Sequence, residues 1–369
     1  MTAPTRLEAL DVFRGITVAA MILVSTPGNW DAVYWPLEHA AWDGWTPTDL
    51  VFPFFLFAMG AAVPIALARR AQPRRVRRHV GRRALILFAL GLPLNAMNAP
   101  LPLVWSTFRI PGVLQRIAIV FVAIAWLTEQ RSRSFQIGVA AGALLAYWAA
   151  MTLVPVPGFG PGVLTPNGNL ASFVDRLVLG RHLAFGTWDP EGILSTVPAI
   201  ATALCGVFAG DWLINAAAHR HRALSLWAAG AIATVVALAW DLVFPINKNL
   251  WTSSFALLSA GFATQLLAVC YWVLDVKGVK AWALPFVAFG RNALAAYFLS
   301  VSLDIIMTRW AVAAPDVSLK WSLYTHVFES PLARCCGMEL ASMAYAIAYV
   351  ALWAVIVIVM YRRRIFVGI

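Results

Sequence analysis

Apolar residues in this chain fall in long blocks separated by short polar or turn-rich stretches. Several blocks reach about 18 residues, the length at which an α-helix crosses a ~30 Å hydrocarbon core. The blocks predict spans near 12–27, 47–68, 83–97, 111–128, 134–154, 191–212, 223–244, 252–274, 283–306 and 340–361. The third is short and admits an earlier start, and residues 305–314 either extend the ninth span or re-enter. No separate polar domain, low-complexity linker or internal repeat interrupts the series. The pattern predicts an all-α, polytopic membrane protein of about 10 transmembrane helices, organised as a single domain over residues 1–369.

Composition agrees. Of 369 residues, 61% are hydrophobic and only 12% charged, against about 25% charged in a typical soluble domain. Several tryptophans sit beside turn residues at block ends (Trp30, Trp35, Trp42, Trp45, Trp188 and Trp251), where interfacial aromatic belts form. The first block begins near Val12 without a small-residue cleavage site, so it reads as a span and not as a cleaved leader. The four cysteines, Cys205, Cys270, Cys335 and Cys336, have no metal-ligand spacing and read as ordinary thiols, so no metal is expected.

Charge then sets orientation. The formal net charge is +11, which in a soluble protein would raise the question of nucleic acid. Here the basic residues cluster in short loops. The stretch RRAQPRRVRRHVGRR after the second span joins Arg6, Arg131, Arg133, Arg220, Arg222, Lys277, Lys280 and Arg362 to Arg364 on one side. That side holds 18 of the 28 Lys and Arg residues, against seven on the other. The larger set marks the cytoplasmic face, and an even number of spans places both termini there. The arginine cluster therefore reads as a topology anchor in contact with anionic lipid, with no nucleic-acid partner. The opposite loops are longer and rich in Gly, Pro, Trp, Asn, Asp and His, which puts the working face on that side.

The densest constellation is LEHAAWDGWTPTDLVFPFFLFAMG, residues 37–60. His39 carries an imidazole, a side chain that can take a proton from an amine or hydroxyl; equally, it can be an interfacial histidine with a satisfied hydrogen bond. Glu38 and Asp43 are candidates to orient it, or are solvated carboxylates. Thr46-Pro47-Thr48-Asp49 has the form of a capping box, with Thr46 at N-cap and Asp49 at N3. Pro53 is expected to kink the second span. Arg116 lies about one turn inside span four, Arg291 near the middle of span nine, and Arg14 at a shallow depth one turn after Asp11. A guanidinium at membrane depth is costly unless paired or solvated. Arg116 and Arg291 therefore either line a polar cavity for an anionic ligand or form internal ion pairs with Asp11, Asp49 or Glu191.

Taken together, these motifs are familiar. LEALDVFRGITVAAMILV with EHAAWDGWTPTDLVFPFFLFAMG (residues 7–60) resembles the transmembrane acyltransferase family of heparan-alpha-glucosaminide N-acetyltransferases. RIPGVLQRIA at 109–118, DPEGILSTVPAI at 189–200, FPINKNLWTSSF at 244–255 and FGRNAL at 289–294 resemble its bacterial branch. The resemblance covers nearly the whole chain. It implies transfer of an acetyl group from cytosolic acetyl-CoA to an amino-sugar or glycan acceptor across the bilayer. It also implies a bacterial inner-membrane location, which the Ala/Arg/Trp-rich composition favours, and a homodimer. The family's active histidine, in a His-Ala-x-Trp motif, maps onto His39. An upstream asparagine of the family maps onto the stretch Val24 to Trp30, where bacterial relatives often carry two asparagines and this chain has Ser25 and Thr26.

The catalytic set implied is His39 as general base or acetyl carrier, Asp49 fixing its tautomer, and Ser25, Thr26 and Asn29 as oxyanion donors. The acyl-donor set is Arg116, Arg291, Gln115, Lys248, Asn249 and Asn292. Two other readings remain: an inner-membrane transporter of N-acetylglucosamine or a related sugar, and a non-catalytic remnant that keeps the fold.

Overall fold

The structure is a computed structural model and describes residues 7–68, 73–215, 219–313 and 317–367. Arg6, Arg69 and Arg70 of the basic set lie outside the described residues. Helix α1 is Glu8–Ser25. A 3-10 turn, Pro47–Leu50, leads into α2 (Val51–Ala68). There follow α3 (Pro73–Asn98), α4 (Val113–Gln130), α5 (Arg133–Leu153), α6 (Leu170–Leu179), α7 (Thr196–Asn215), α8 (His219–Asp241) and α9 (Ser253–Tyr271). The chain continues through α10 (Leu284–Arg291), α11 (Ala293–Arg309), a short antiparallel pair β1 (Ala311–Ala313) and β2 (Val317–Ser318), α12 (Leu319–Leu323), α13 (Ser330–Cys336) and α14 (Met338–Arg362).

The architecture is all-α and polytopic. Among the described residues, eight helices are long and apolar enough to cross a membrane, or nine if α10 and α11 count as one bent span; α1 adds an 18-residue helix bearing Glu8, Asp11 and Arg14. The expected ninth span, 283–306, is not one straight helix. It breaks at Asn292, whose backbone leaves the helical region (φ −116°, ψ 29°), and the two pieces bend by 85°. Arg291 therefore stands at a helix terminus and not in mid-span. The kink expected at Pro53 takes another form. Proline has no N–H to donate to the carbonyl four residues back, and the helix opens as the 3-10 turn before α geometry begins at Val51. Two loops contain helices that no span-length criterion detects. Asn169 caps α6 by accepting from Ser172 N at 2.8 Å, and Ser318 caps α12 by accepting from Trp321 N at 3.2 Å.

The chain divides into two compact units. The first comprises Met1–Leu10, Ala41–Gly44 and Pro53–Gly278. Its helices differ in how much they bury. About three fifths of the most apolar window is buried in α2, α7 and α9 (61% each), and 56% in α4, against 17% in α3, 28% in α5 and 22% in α8. The outer helices turn residues such as Leu145, Leu224, Ile232 and Val235 outward, which is the composition expected of a lipid-facing surface. Helices α2 and α7 approach to backbone contact at Gly206, where a β-carbon would lie 2.1 Å from the Phe57 carbonyl oxygen, so no larger residue fits. A cluster of Tyr147, Met151, Leu170, Phe244 and Leu250 fixes the loop before α9, and the Tyr147 hydroxyl donates to the Leu250 carbonyl at 2.6 Å.

The second unit comprises Asp11–Ala40, Trp45–Phe52 and Val279–Ile369. A β-carbon at Gly290 of α10 would meet the Asp11 carbonyl oxygen of α1 at 2.0 Å, another backbone-close crossing. The loop after α1 is bolted to α14: Gly28 N donates to the Ser342 carbonyl, Asn29 N to Ser342 Oγ at 3.0 Å, and Ser342 Oγ to the Asn29 carbonyl at 3.0 Å. Lys320 pairs with Asp304 at 2.8 Å, both largely buried, and the Tyr349 hydroxyl donates to the Ser300 carbonyl at 2.7 Å.

Candidate active site

In the second unit, residues 38–40 and 45–50 fold around one carboxylate. Asp49 is 1% exposed. Its Oδ2 accepts from Thr46 N (3.0 Å), which is the carboxylate half of the capping box expected from sequence, and from Ala40 N (3.1 Å), and lies 3.2 Å from Thr46 Oγ1. Its Oδ1 contacts His39 Nδ1 at 2.7 Å. The His39 side chain is half exposed. An ionised Asp49 can only accept, so the proton of this contact sits on Nδ1. The Nε2 lone pair is then the basic site. The loop is held further by Thr46 Oγ1 on the Glu38 carbonyl (2.5 Å) and Thr48 Oγ1 on the Pro36 carbonyl (3.1 Å). A buried carboxylate that fixes the tautomer and orientation of an exposed imidazole is the arrangement a general base requires.

In the first unit, Arg116 is 1% exposed. Its Nη2 donates to Ser195 Oγ at 2.5 Å and to the Gly192 carbonyl at 3.2 Å, and its guanidinium lies over the Trp251 ring, 5.0 Å from the centroid. Its Nε and Nη1 are buried without a hydrogen-bond partner. The ion pair with Glu191 that sequence allowed is taken by another residue. Arg109 binds Asp189 through Nε (2.8 Å) and Nη2 (2.7 Å), and contacts Glu191 through Nη2. These carboxylates raise the Arg109 pKa against the opposing effect of burial. Asp175 stands behind the same loop. Burial pushes its carboxyl up to about 6, while the Ile193 N–H (2.8 Å) and nearby Arg116 and Arg176 oppose the shift.

Residues 6–244 match the family described as heparan-alpha-glucosaminide N-acetyltransferase, catalytic. Heparan-alpha-glucosaminide N-acetyltransferase of Homo sapiens is 30% identical over 421 aligned positions, covering 98% of this chain and 60% of the relative. The Mus musculus enzyme of the same name is 28% identical over 424, covering 99% and 61%. The chain belongs to the heparan-alpha-glucosaminide N-acetyltransferase catalytic family. It spans about three fifths of the length of the curated relatives it matches.

The family match contains His39, Asp49, Gln115 and Arg116 and ends before Lys248, Asn249, Arg291 and Asn292. Within the family fold the sequence candidates part company. Gln115 and Arg116 are consecutive on α4, so their side chains diverge by about 100°. The Gln115 amide is tucked toward Gly91 and Gly112, buried, with neither Oε1 nor Nε2 bonded. Arg291 lies over the rings of Tyr361 (5.0 Å) and Phe366 (5.2 Å), with Nε buried and unpartnered. Asn292 Oδ1 accepts from Val367 N at 3.0 Å, and its Nδ2 is unpartnered. Thr26 is not a free donor, because its hydroxyl bonds to the Ile22 carbonyl at 2.7 Å within the α1 turn. Asn29 closes a local turn, Oδ1 accepting from Asp31 N at 2.9 Å. Ser25 ends α1 and is half-buried. Lys248 lends its carbonyl to Trp251 N at 3.0 Å, and Asn249 follows it in the same turn. Arg14 is paired, donating to the Gly290 carbonyl at 3.2 Å and lying 4.0 Å from Asp11.

Four residues have partners that the sequence does not indicate. Asp43, a candidate from sequence to orient His39 or a solvated carboxylate, accepts from Asn247 Nδ2 at 3.1 Å. Asn247, fully buried, organises the whole 247–252 turn: its Oδ1 accepts from Leu250 N and its backbone is paired with Thr252. An asparagine two residues after a proline at a helix entrance is a signal for such an Asx turn. Trp251, at a block end in the sequence, is not an interfacial aromatic. It is 1% exposed, has a left-handed backbone (φ 51°), and donates Nε1 to Thr202 Oγ1 at 3.3 Å. A non-glycine residue held there is strained and marks a position the surroundings dictate. Ser195, the acceptor of the Arg116 bond, had only its place in the DPEGILSTVP run to recommend it.

Proposed function

We propose that this protein is a membrane-embedded acetyltransferase that moves an acetyl group from acetyl-CoA to the amine of an amino sugar, with His39 as general base. The observation that carries the reading is the 2.7 Å contact between His39 Nδ1 and the buried, multiply bonded Asp49 carboxylate. It leaves Nε2 basic on a half-exposed ring. As the acceptor amine attacks the thioester carbonyl, Nε2 takes the amine proton. The new C–N bond forms and the carbonyl π electrons move onto oxygen. Collapse of the tetrahedral intermediate breaks the C–S bond, and the imidazolium returns its proton to the departing thiolate. Asp49 stabilises the imidazolium between the two transfers.

Arg116, with two buried nitrogens, Nε and Nη1, unpartnered, suits an anionic or carbonyl group of the acyl donor. Gln115, Lys248, Asn249, Arg291 and Asn292 complete the proposed donor-binding set. Ser25 and Asn29 are retained as candidate oxyanion donors; Thr26 is not. The acceptor is a periplasmic or cell-wall amino sugar, the protein lies in a bacterial inner membrane with both termini cytoplasmic, and it works as a homodimer.

The test is acetyl transfer from radiolabelled acetyl-CoA to glucosamine by the purified full-length chain in liposomes. Wild type forms N-acetylglucosamine, and His39→Ala loses on the order of 10²–10⁴-fold in rate. Equal rates for the two proteins refute the role of His39. Omitting the acceptor separates direct transfer from an acetyl-imidazole route: label retained on wild type but not on His39→Ala indicates the covalent intermediate.

A further inference from the structure

The first unit contains a cavity of about 350 Å³ that acetyl transfer does not use, bounded by the α5 N-terminus and parts of α7, α8 and α9. Its volume lies in the range of roughly 300–1,000 Å³ typical of ligand sites. Cys205, Phe208 and Trp212 of α7 form one wall. The opposing wall is made of small residues, Ala229 and Ala233 of α8 and Ala260 of α9, and their size creates the space. The cavity opens sideways: Ala229 is exposed and Trp212 is 49% exposed. Helices α7, α8 and α9 are all long and apolar enough to cross a membrane, so the medium at that opening is lipid.

The mouth is charged. Arg133, at the start of α5, bonds Asp211 at 2.6 Å and the Phe208 carbonyl at 3.1 Å, and lies 4.2 Å from the Phe208 ring centroid. Arg222 donates Nη1 to the Leu213 carbonyl at 2.8 Å, one residue from Trp212, and its Nε is buried without a partner. Arg131 sits two residues before Arg133. Asp211 pairs with Arg133, which lines the cavity; Arg222, one turn before the lining residue Leu226, and Arg131 lie outside the lining and add positive charge beside it. These arginines belong to the basic set that marks the cytoplasmic face.

A soluble anion has no use for an apolar chamber open to hydrocarbon, and an uncharged lipid has no use for the guanidiniums. We propose that this cavity is a binding site for an anionic phospholipid of the cytoplasmic leaflet, one acyl chain between α7 and α8 and the phosphate on Arg222 and Arg133. The site does not depend on the proposed chemistry at His39.

Native mass spectrometry of the delipidated full-length protein, titrated with phosphatidylglycerol or phosphatidylcholine, tests it. One phosphatidylglycerol is expected to bind wild type at least tenfold more tightly than phosphatidylcholine. Filling the chamber with Ala229→Phe or, separately, Ala233→Leu removes that binding in protein that elutes as wild type. Arg222→Gln brings the two lipids to within about threefold of each other. Equal affinity of wild type for the two lipids, or undiminished phosphatidylglycerol binding in a correctly eluting filled variant, overturns the proposal. The lipid preference of wild type decides the matter even if both filled variants misfold. Binding of CoA but no lipid would also overturn it.

Discussion

The two candidate regions of this protein solve opposite problems. Around Asp49 both carboxylate oxygens are answered: a buried carboxylate takes four contacts from its own loop and directs one imidazole outward. Around Arg116 the balance is left open: a fully buried cation has two nitrogens, Nε and Nη1, without a partner, while the neighbouring Arg109 holds the available carboxylates. The first region is complete by itself and built to hold geometry. The second is incomplete, and under the proposed function the acyl donor completes it. Burial alone does not distinguish the two charges; the count of satisfied hydrogen bonds does.

Substitutions that remove one side of this contrast break it most severely. Asp49→Asn keeps the side-chain volume but donates where the carboxylate accepted. It is expected to lower the acetyl-transfer kcat by about 10²-fold or more and to change its pH profile. An unchanged pH profile would reduce Asp49 to a helix cap. Arg109→Met is expected to destabilise the fold by about 3 kcal/mol or more, because it leaves Asp189 and Glu191 with an uncompensated charge; thermal unfolding in detergent checks this. Arg116→Met should behave in the opposite way. Removing a buried, half-satisfied cation leaves the unfolding temperature equal or higher, while KM for acetyl-CoA rises about tenfold or more. A destabilised Arg116→Met with normal KM would show that Arg116 is architectural.

A subtler probe is pH. Asp175 has a folded-state pKa of about 6, above its ordinary 3.8, so the folded protein binds this proton more tightly than the unfolded chain. Its contribution favours folding below about pH 4 and is lost as pH rises through 6, up to about 3 kcal/mol in all. Asp175→Asn should therefore gain thermal stability over wild type at pH 8 and show little difference at pH 4. The smallest effect is expected from Thr26→Val, about 1 kcal/mol for the lost bond to Ile22 and within about twofold in rate, since that hydroxyl is already engaged.

Much of the fold was legible in the sequence because lipid imposes a strict rule. Every backbone polar group must be satisfied within its own segment, so apolar blocks of spanning length become helices. The capping box at Thr46 to Asp49 was legible for a similar reason, since its partners are three residues apart. Helix α6 was not, because ten residues are too few to read as a span and its stability comes from packing on Tyr147 and Met151. The break at Asn292 was hidden as well, for FGRNAL continues the apolar run without proline.

What the sequence determined by itself was local: where the chain turns helical, which loops are basic, and that His39 and Asp49 lie on one short segment. The tertiary structure decided which charge meets which. It gave Glu191 to Arg109 instead of Arg116, drew Trp251 inward under a guanidinium, and assigned Asp43 to Asn247 from across some two hundred residues. Pairings of that kind are set by the packing of helices remote in sequence, and no spacing along the chain encodes them.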